Sequence, residues 1–265
     1  MARMTEYTND SITSLKGADR VRKRPAVIFG SDSIEGCEHA VLEIFSNAID
    51  EAREGHGNRI IMTRYADGSI ECEDFGRGIP VDYNEREGSF NWELVFCELY
   101  AGGKYKEDGG DNYEYSLGLN GLGLCAAQYA SEYMEAEIYR DGMRFFLQFR
   151  KGENIGGLTK EPSKRRQTGT RIKWRPDLDV FTDIDIPMDY FRETMRRQAV
   201  VNPGVLFVLR NQVGQSFEEE EFFYKNGIAD SLAERAGEGA LTPIHTWSAE
   251  RRGRDREDRP DYKVR

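Results

Sequence analysis

The chain has 265 residues, of which 38% are hydrophobic and 32% are charged, and its formal net charge is −10. A chain of this length and apolar content buries a sizeable core, and its acidity argues against a surface that grips duplex DNA on its own. Four widely spaced cysteines and three histidines form no zinc or disulfide pattern, and no apolar run is long enough to cross a bilayer. These features predict a cytoplasmic protein that has no membrane partner.

The predicted elements mix helices and strands without an internal repeat. A polar arm and two helices come first, a hairpin and a glycine-rich lid follow, and three strands, a helix and a last strand complete the pattern. In chain order these elements cover residues 1–14, 16–25, 35–54, 59–65 with 69–74, 81–117, 135–139, 144–149, 170–174, 187–200 and 205–210. The pattern predicts an α+β fold in which a mixed sheet is covered by helices on one face.

The second predicted helix carries a polar stripe. His39, Glu43 and Asn47 recur every four residues and therefore share one side of a helix, opposite an apolar stripe that begins at Val41. A carboxylate one turn from an amide is suited to activating a water molecule and to holding a metal-bound phosphate. The alternative for this helix, taken alone, is a solvated surface face.

Two other segments have the composition of a ligand site. Asp74 ends the predicted hairpin and is followed by Gly76 and Gly78, which places a fixed acceptor beside backbone that a flat ligand can approach closely. Downstream, three glycines within 118–123 precede a predicted small-residue helix, and free amides at a helix N-terminus suit a phosphate. Taken singly, Asp74 and these glycines are also typical of turns.

Two nucleotide-binding motifs are superficially similar to parts of the chain. Residues 121–126 fit a loose Gly-x-Gly-x-x-Ala fingerprint, which leaves a Rossmann-type oxidoreductase as an alternative, although 113–116 is a poor buried strand. Residues 102–104 read Gly-Gly-Lys but lack the hydroxyl residue and the glycine spacing of a Walker A loop. A Walker A site is therefore excluded.

The motifs in their order resemble the ATP-binding domain of the GHKL superfamily. Residues 15–25, 47–52, 74–80 and 101–104 further resemble the B subunit of bacterial type II topoisomerases, meaning gyrase or topoisomerase IV. The resemblance covers nearly the whole chain from about Tyr7 onward. It implies the Bergerat ATP-binding fold, with ATP and Mg²⁺ bound.

The resemblance implies roles around the reacting phosphate. Glu43 matches the general base that takes a proton from the attacking water, His39 matches the residue that orients it, and Asn47 matches the Mg²⁺ ligand. Lys104 matches a phosphate-contacting lid residue, and Tyr113 matches a lid residue near the nucleotide. The backbone that contacts phosphate matches Gly118, Leu119, Asn120, Gly121, Leu122 and Gly123.

At the adenine end, Asp74 matches the carboxylate that accepts the amino group of the base. Gly76, Gly78 and Ile79 match the backbone beside the ring, and Thr170 matches a residue that supports the same edge through water. The residues that match contacts of aminocoumarin-type and other ATP-site inhibitors are Asp74, Arg77, Pro80 and Arg140.

Several positions depart from the family pattern, among them Leu117, Asn120 and Ser46. Leu117 replaces the first glycine of the lid and Asn120 replaces its histidine, so that a side-chain contact is missing while the backbone amides are retained. Ser46 replaces an aspartate beside Asn47, which leaves one fewer carboxylate in the pocket.

The resemblance also implies a domain organisation and partners. It divides the chain into an N-terminal arm (1–14), a GHKL ATPase domain (15–218) and the start of a truncated transducer domain (219–265). Tyr7 and Ile12 match arm residues that reach a second copy of the chain, with Tyr7 near that copy's nucleotide, so that ATP binding closes a homodimer gate.

The implied function is ATP hydrolysis that drives strand passage by a type II topoisomerase. The A subunit and duplex DNA are its implied partners in the full-length enzyme, and turnover by this chain alone is expected to be weak. The alternative is a nucleotide-responsive dimerisation module with little catalysis.

Overall fold

The computed structural model describes residues 14–101, 121–239, 242–245, 247, 251–253 and 262–264. The helices are α1 (Asp19–Arg22), α2 (Pro25–Phe29), α3 (Ile34–Arg53), α4 (Asn91–Cys97), α5 (Gly123–Tyr129), α6 (Met188–Val201) and α7 (Ile228–Ala236). The strands are β1 (Arg59–Arg64), β2 (Ile70–Asp74), β3 (Tyr83–Asn84), β4 (Ser89–Phe90), β5 (Ser131–Arg140), β6 (Met143–Arg150), β7 (Glu153–Asn154), β8 (Thr159–Pro162), β9 (Gly169–Pro176), β10 (Leu206–Val213), β11 (Ser216–Phe222), β12 (Arg251–Gly253) and β13 (Tyr262–Val264).

A nine-stranded mixed sheet is the central layer of the described residues. Its order is β11-β10-β1-β2-β9-β5-β6-β7, and β8 pairs with β6. β1 and β10 run parallel, with Arg59 opposite Leu206, whereas the other pairings within this sheet are antiparallel. The pairs β3–β4 and β12–β13 stand apart from it.

Three of the described helices pack against one face of this sheet. α3 contacts β1, β2 and β9, α5 contacts β5, and α6 contacts β10 and β11. On β9, Ile172 and Trp174 are buried in the core, while Arg171 and Lys173 on the opposite face are partly exposed. Trp174 donates its indole N–H to the carbonyl of Ala127 in α5 at 2.8 Å. The predicted α+β fold, with a mixed sheet covered on one face, is confirmed.

The predicted helix over 16–25 proves to be two short helices. α1 ends at Arg22, and Arg24 adopts φ −145° and ψ 52° immediately before Pro25 begins α2. A proline ring disfavours helical backbone in the residue before it, whereas proline itself fits the first position of a helix. The prediction of one continuous helix was wrong for this reason.

The predicted lid stretch, 81–117, contains a helix, α4, that was not predicted. In α4, Phe96 is fully buried, and the carboxylate of Glu93 accepts the N–H of Phe90 at 2.9 Å, which caps the first turn. Residues 102–117 of this stretch lie outside the described residues.

β11 crosses the domain boundary that was predicted between residues 218 and 219. It pairs with β10 as far as Phe222, and its glutamates are held by neighbouring arginines. Arg210 contacts Glu219 at 2.7 Å, and Arg192 of α6 contacts Glu220 at 2.9 Å. Residues 219–222 are therefore part of the central sheet in this structure.

None of the helices formed by the described residues combines the length and the apolarity that crossing a bilayer demands.

Candidate functional site

The polar stripe on α3 is a connected group. His39 lies with Nε2 3.2 Å from Oε1 of Glu43, and its Nδ1 lies 3.1 Å from the carbonyl oxygen of Phe29 in α2. Because a carbonyl and a carboxylate only accept, both contacts are hydrogen bonds when the ring carries a proton on each of its nitrogens. The ring of Phe29 also meets the imidazole edge-on, with the centroids 6.1 Å apart. α2 therefore fixes the orientation of His39 beside the carboxylate.

Glu43 lies against the start of α5. A Cβ atom added to Gly123 would stand 2.0 Å from Oε2 of Glu43, which is closer than any side chain tolerates. Only glycine lets the first turn of α5 approach the carboxylate this closely. About a third of the Glu43 side chain remains exposed to solvent (32%), so that a water molecule can reach it.

Asn47, one turn further along α3, has its amide orientation fixed by the helix. Its Nδ2 donates to the backbone carbonyl of Glu43 at 3.0 Å. The side-chain oxygen is therefore turned away from that carbonyl and keeps its lone pairs for another partner. Ser46 instead donates its hydroxyl to the carbonyl of Leu42 at 2.7 Å and is buried.

Asp74 ends β2 as a buried carboxylate, only 8% exposed. Its Oδ1 accepts the backbone N–H of Gly76 at 2.8 Å and that of Thr170 at 3.2 Å, whereas no described residue donates to Oδ2. Burial raises the pKa of this carboxyl to about 7, although the two N–H donors act in the opposite direction. Asp74 thus offers an acceptor oxygen that a donor on a ligand could use.

Residues 75–78, here called the 75–78 loop, continue from Asp74. Gly78 has φ +77°, and a Cβ there would stand 2.8 Å from the carbonyl oxygen of Tyr139. Both facts require glycine at this position. Arg140 donates to the carbonyl of Gly78 at 3.0 Å, and Thr168 donates to that of Gly76 at 2.5 Å. The loop is therefore fixed by β5 and by the residues that precede β9.

Thr170 joins two parts of this region. Its backbone N–H donates to Asp74, and its hydroxyl oxygen accepts the N–H of Ile79 at 3.3 Å. Pro80, which follows, is exposed. The structure thus brings Asp74, Gly76, Gly78, Ile79 and Thr170 together at one end of β2.

Arg77, in the 75–78 loop, lies against α3. Its side chain contacts Glu51 at 2.7 Å and also pairs with Glu54. Glu51 was not among the predicted site residues, although it stands four residues after Asn47 and continues the spacing of His39, Glu43 and Asn47. Extending that period by one turn would have found it.

The two ends of the candidate site lie along one helix. Glu43 stands near the middle of α3, and Glu51, two turns later, contacts the 75–78 loop that follows Asp74. At a rise of 1.5 Å per residue, this separation is roughly 12 Å along the helix axis. The arrangement is suited to an elongated ligand that has a hydrogen-bond donor at one end and a hydrolysable group at the other.

Part of the predicted site cannot be placed. Gly121, Leu122 and Gly123 are described, and α5 begins at the last of them. The other predicted residues of the lid and arm lie outside the described residues; these are Tyr7, Ile12, Lys104, Tyr113, Leu117, Gly118, Leu119 and Asn120. Within the described part of the chain, no three His, Cys, Asp or Glu side chains are grouped as a metal site.

The predicted dinucleotide fingerprint does not fit this fold. A Rossmann domain has a parallel sheet with a strand directly before the glycine-rich turn. Here α5 leads into the antiparallel strand β5, and the sheet's one parallel pairing among the described strands joins β1 and β10.

Comparisons with known proteins agree with this geometry. Residues 32–180 match the family described as "Histidine kinase-, DNA gyrase B-, and HSP90-like ATPase". The chain is 36% identical over 243 residues to the DNA gyrase B subunit of Synechocystis sp., an alignment that covers 91% of this chain and 22% of that protein. It is 35% identical over 250 residues to the DNA topoisomerase 4 B subunit of Enterococcus faecalis, with 94% of this chain and 36% of that protein covered.

A solved structure is also similar. It is the topoisomerase IV ATP-binding domain of Francisella tularensis in complex with a small-molecule inhibitor, with a TM-score of 0.69 and 27% sequence identity. The match covers 84% of this chain and 58% of that one. The chain thus spans less than two fifths of the length of the two curated relatives named above.

Proposed function

Because the chain belongs to the family of histidine kinase-, DNA gyrase B- and HSP90-like ATPases, we propose that it binds ATP between Asp74 and Glu43 and hydrolyses it to drive strand passage by a type II DNA topoisomerase. One observation carries the proposal. Glu43, a solvent-accessible carboxylate in contact with His39, lies on α3, and the same helix contacts the 75–78 loop, which follows the buried carboxylate of Asp74.

The adenine end fits the base chemically. The 6-amino group of adenine donates to Asp74, whose Oδ2 receives no bond from a described residue. Gly78, which has no room for a side chain, lets the ring lie against the backbone of the 75–78 loop, with Gly76 beside it. Thr170 and Ile79 border the same edge. Guanine presents a carbonyl at this position and would be repelled by the carboxylate.

At the other end, Glu43 acts as the general base. A water molecule attacks the γ-phosphorus, the bond between that phosphorus and the bridging oxygen of ADP breaks, and Glu43 takes the proton of the water. His39 orients Glu43 through the 3.2 Å contact. Gly123, the first residue of α5, lies against Glu43, which would bring the N-terminal amides of this helix near the phosphates.

A magnesium ion fits the side chain of Asn47. Its free amide oxygen is a hard donor of the kind that Mg²⁺ accepts, and the ion commonly takes one or two protein ligands together with substrate phosphates and waters. When bound, it would neutralise phosphate charge. This is consistent with the lack of a three-residue metal cluster among the described residues.

We further propose that the lid and the arm complete the site. Lys104, Tyr113 and the backbone of 118–120 would contact the phosphates and the nucleotide, and Tyr7 would reach the nucleotide of a second copy. ATP binding would then favour a homodimer. In the longer enzyme the A subunit and duplex DNA are the proposed partners, and the net charge of −10 supports a weak direct role in holding DNA.

The rim of the adenine end would also accept inhibitors. Arg140 holds the carbonyl of Gly78, Arg77 belongs to the same 75–78 loop, and Pro80 follows shortly after it. We propose that aminocoumarin-type and other ATP-site inhibitors bind there through these residues and Asp74.

A second domain is proposed to begin after β11. The helix that follows it, α7, has no buried residue, and its Ile228 and Leu232 are exposed. This supports placing the start of a transducer domain after Phe222, a few residues later than predicted.

The proposal is tested by separating binding from hydrolysis. Calorimetry with the β,γ-imido analogue of ATP and Mg²⁺ should show loss of binding by about tenfold or more in Asp74→Ala, because a hydrogen bond to a charged group is removed. Glu43→Ala should retain binding and lose hydrolysis by about 10²-fold or more. Glu38→Ala, on the same helix but outside the polar stripe, is the control. Retained adenine binding in Asp74→Ala would contradict the proposed pocket.

The alternative function is a dimerisation module with little catalysis. Turnover that is the same in Glu43→Ala as in the unsubstituted chain, together with intact nucleotide binding, would favour that alternative.

A further inference from the structure

Glu51 is the fourth side chain of the α3 stripe, and it contacts the loop rather than the reacting end. Its Oε2 accepts the backbone N–H of Arg77 at 3.0 Å and the Nε of the same residue at 3.1 Å. Its Oε1 accepts from the guanidinium at 2.7 Å. One carboxylate therefore receives three hydrogen bonds from a single loop residue, and two of them form a bidentate pair.

The charge of Glu51 is retained in this position. Burial acts to raise its pKa, but the hydrogen bonds and the charge of Arg77 outweigh burial and hold the pKa below its ordinary value. Exposed ion pairs usually contribute little, whereas a bidentate arginine contact supported by a backbone N–H is fixed in geometry. The contact therefore holds the backbone of the loop in place against α3.

The loop also lies directly on the Glu51 side chain. A Cβ atom at Gly76 would stand 2.7 Å from Oε2 and 2.9 Å from Cβ of Glu51. On its other side, the carbonyl of Gly76 accepts the hydroxyl of Thr168. Gly76 is thus held between α3 and the segment before β9.

The position of Gly76 determines how Asp74 is presented. The N–H of Gly76 is one of the two donors to Oδ1 of Asp74, and it holds that oxygen in place. A shift of Gly76 away from α3 would lengthen this bond and let the carboxylate rotate. The direction of the free oxygen, Oδ2, therefore depends on the contact between Glu51 and the loop.

We propose that Glu51 is a positioning residue for adenine recognition: it fixes the 75–78 loop to α3 and so sets the orientation of Asp74 relative to Glu43. This inference rests on the proposed function and deepens it. Glu51 touches neither the base nor the phosphates; it acts through Gly76 and Arg77. Its effect is on the selection of adenine, because the residues at the reacting end lie two turns away along α3.

The test compares Glu51→Gln with Glu38→Gln, two substitutions that each remove one carboxylate from the same helix. Affinities for the β,γ-imido analogues of ATP and GTP are measured by calorimetry. In Glu51→Gln the preference for the ATP analogue should fall about tenfold, since two charge-assisted hydrogen bonds are weakened. The rate at saturating ATP should stay within about threefold, because the general base is untouched. Glu38→Gln should keep the full preference.

A purely structural role gives a different result. Loss of a purely structural contact would lower the melting temperature and weaken the binding of both analogues equally. That outcome overturns the inference, as does an unchanged preference for the ATP analogue in folded Glu51→Gln. Arg77→Met is the second variant if Glu51→Gln does not fold: it retains the backbone N–H contact and should lose part of the preference. An unchanged preference in Arg77→Met would then count against the inference.

The proposed function can fail separately. If the unsubstituted chain shows no preference for adenine, both the proposed pocket and this inference are contradicted. If it prefers adenine and Glu51→Gln does so equally, the inference alone is overturned.

Discussion

Asp74 holds a proton more tightly in the folded chain than in the unfolded chain, because burial raises its pKa from an ordinary 3.8 to about 7. The ionised carboxylate accepts the hydrogen bond of the adenine amino group more strongly than the protonated carboxyl does, because the charge strengthens the bond. The affinity for the ATP analogue should therefore decrease as the pH falls below about 7, approaching tenfold per pH unit. Calorimetry between about pH 5.5 and about pH 8 measures this decrease on both sides of the folded-state pKa.

The control for this pH dependence is Asp74→Asn, whose affinity should be low and flat over the same range. The sign for stability is the reverse of the usual carboxylate case. Since the folded state binds more protons between about pH 4 and pH 7, the free energy of unfolding should fall as the pH rises through that window, and Asp74→Asn should lack this component. Undiminished binding at the acidic end of the range would contradict the assignment of Asp74.

At the scale of elements, Arg22 joins α1 to the end of α5. It donates to the carbonyl oxygens of Tyr129 at 3.0 Å and Ser131 at 3.3 Å, and its other nitrogen pairs with the buried carboxylate of Asp177 at 2.6 Å. A cation at the C-terminus of a helix satisfies carbonyls that have no partner within the helix. α1 is thereby fixed to the helix whose first residue approaches Glu43.

Replacing Arg22 by methionine should lower the free energy of unfolding by about 3 kcal/mol, because it leaves Asp177 buried without its principal ion-pair partner. Lys151, 3.8 Å from the same carboxylate, would compensate in part. Urea unfolding measures the loss. Lys23→Met is the matched control: its pair with Asp19 is exposed, and its removal should change stability by less than about 0.5 kcal/mol. Equal effects of the two substitutions would contradict the anchoring role.

The elements that sequence patterns predicted well are those with strong internal periodicity. α3 was predicted within one residue at each end because its apolar residues repeat at helical spacing along twenty residues. β11 was missed because a run of four glutamates has no strand pattern of its own. It forms because β10, joined to it by a short turn, offers it a partner and because Arg192 and Arg210 hold two of its glutamates.

In the candidate site, too, some residues can be predicted from local patterns and others only from the fold. Asp74 and the α3 stripe were predicted as site residues because their spacing carries a signal. Glu51 was not predicted, since its proposed role depends on a loop that only the fold brings against it. The separation of α1 from α2 follows a local rule, the restriction on a residue before proline, and was available from the sequence.

At the scale of the whole molecule, the proposed dimer gate predicts a nucleotide-dependent change in association. Sedimentation of the full chain with the β,γ-imido analogue of ATP and Mg²⁺ should shift it toward dimer, since a ligand that binds the closed state more tightly favours that state. Glu43→Ala, with unmodified ATP, should show the same shift because it binds without hydrolysis.

A chain that lacks residues 1–13 is the comparison for this experiment. It should bind the analogue with little change and remain monomeric, because the proposed contact with the second copy lies in the arm. A dimer of equal stability without the arm would contradict a role of the arm in the gate. The absence of any shift toward dimer in the 265-residue chain would contradict the proposed gate itself.

The parallel pairing of β1 with β10 also affects how the chain acquires its fold. β1 forms its hairpin with β2 early, since they are neighbours, but Arg59 finds Leu206 only after the residues between them have been synthesised. Until then the outer edge of β1, with Ile60, Ile61 and Met62, is an open template for another chain. Because such distant pairings form slowly, closure of the sheet is the expected late step, and a nascent chain interrupted before β10 is the form most exposed to aggregation.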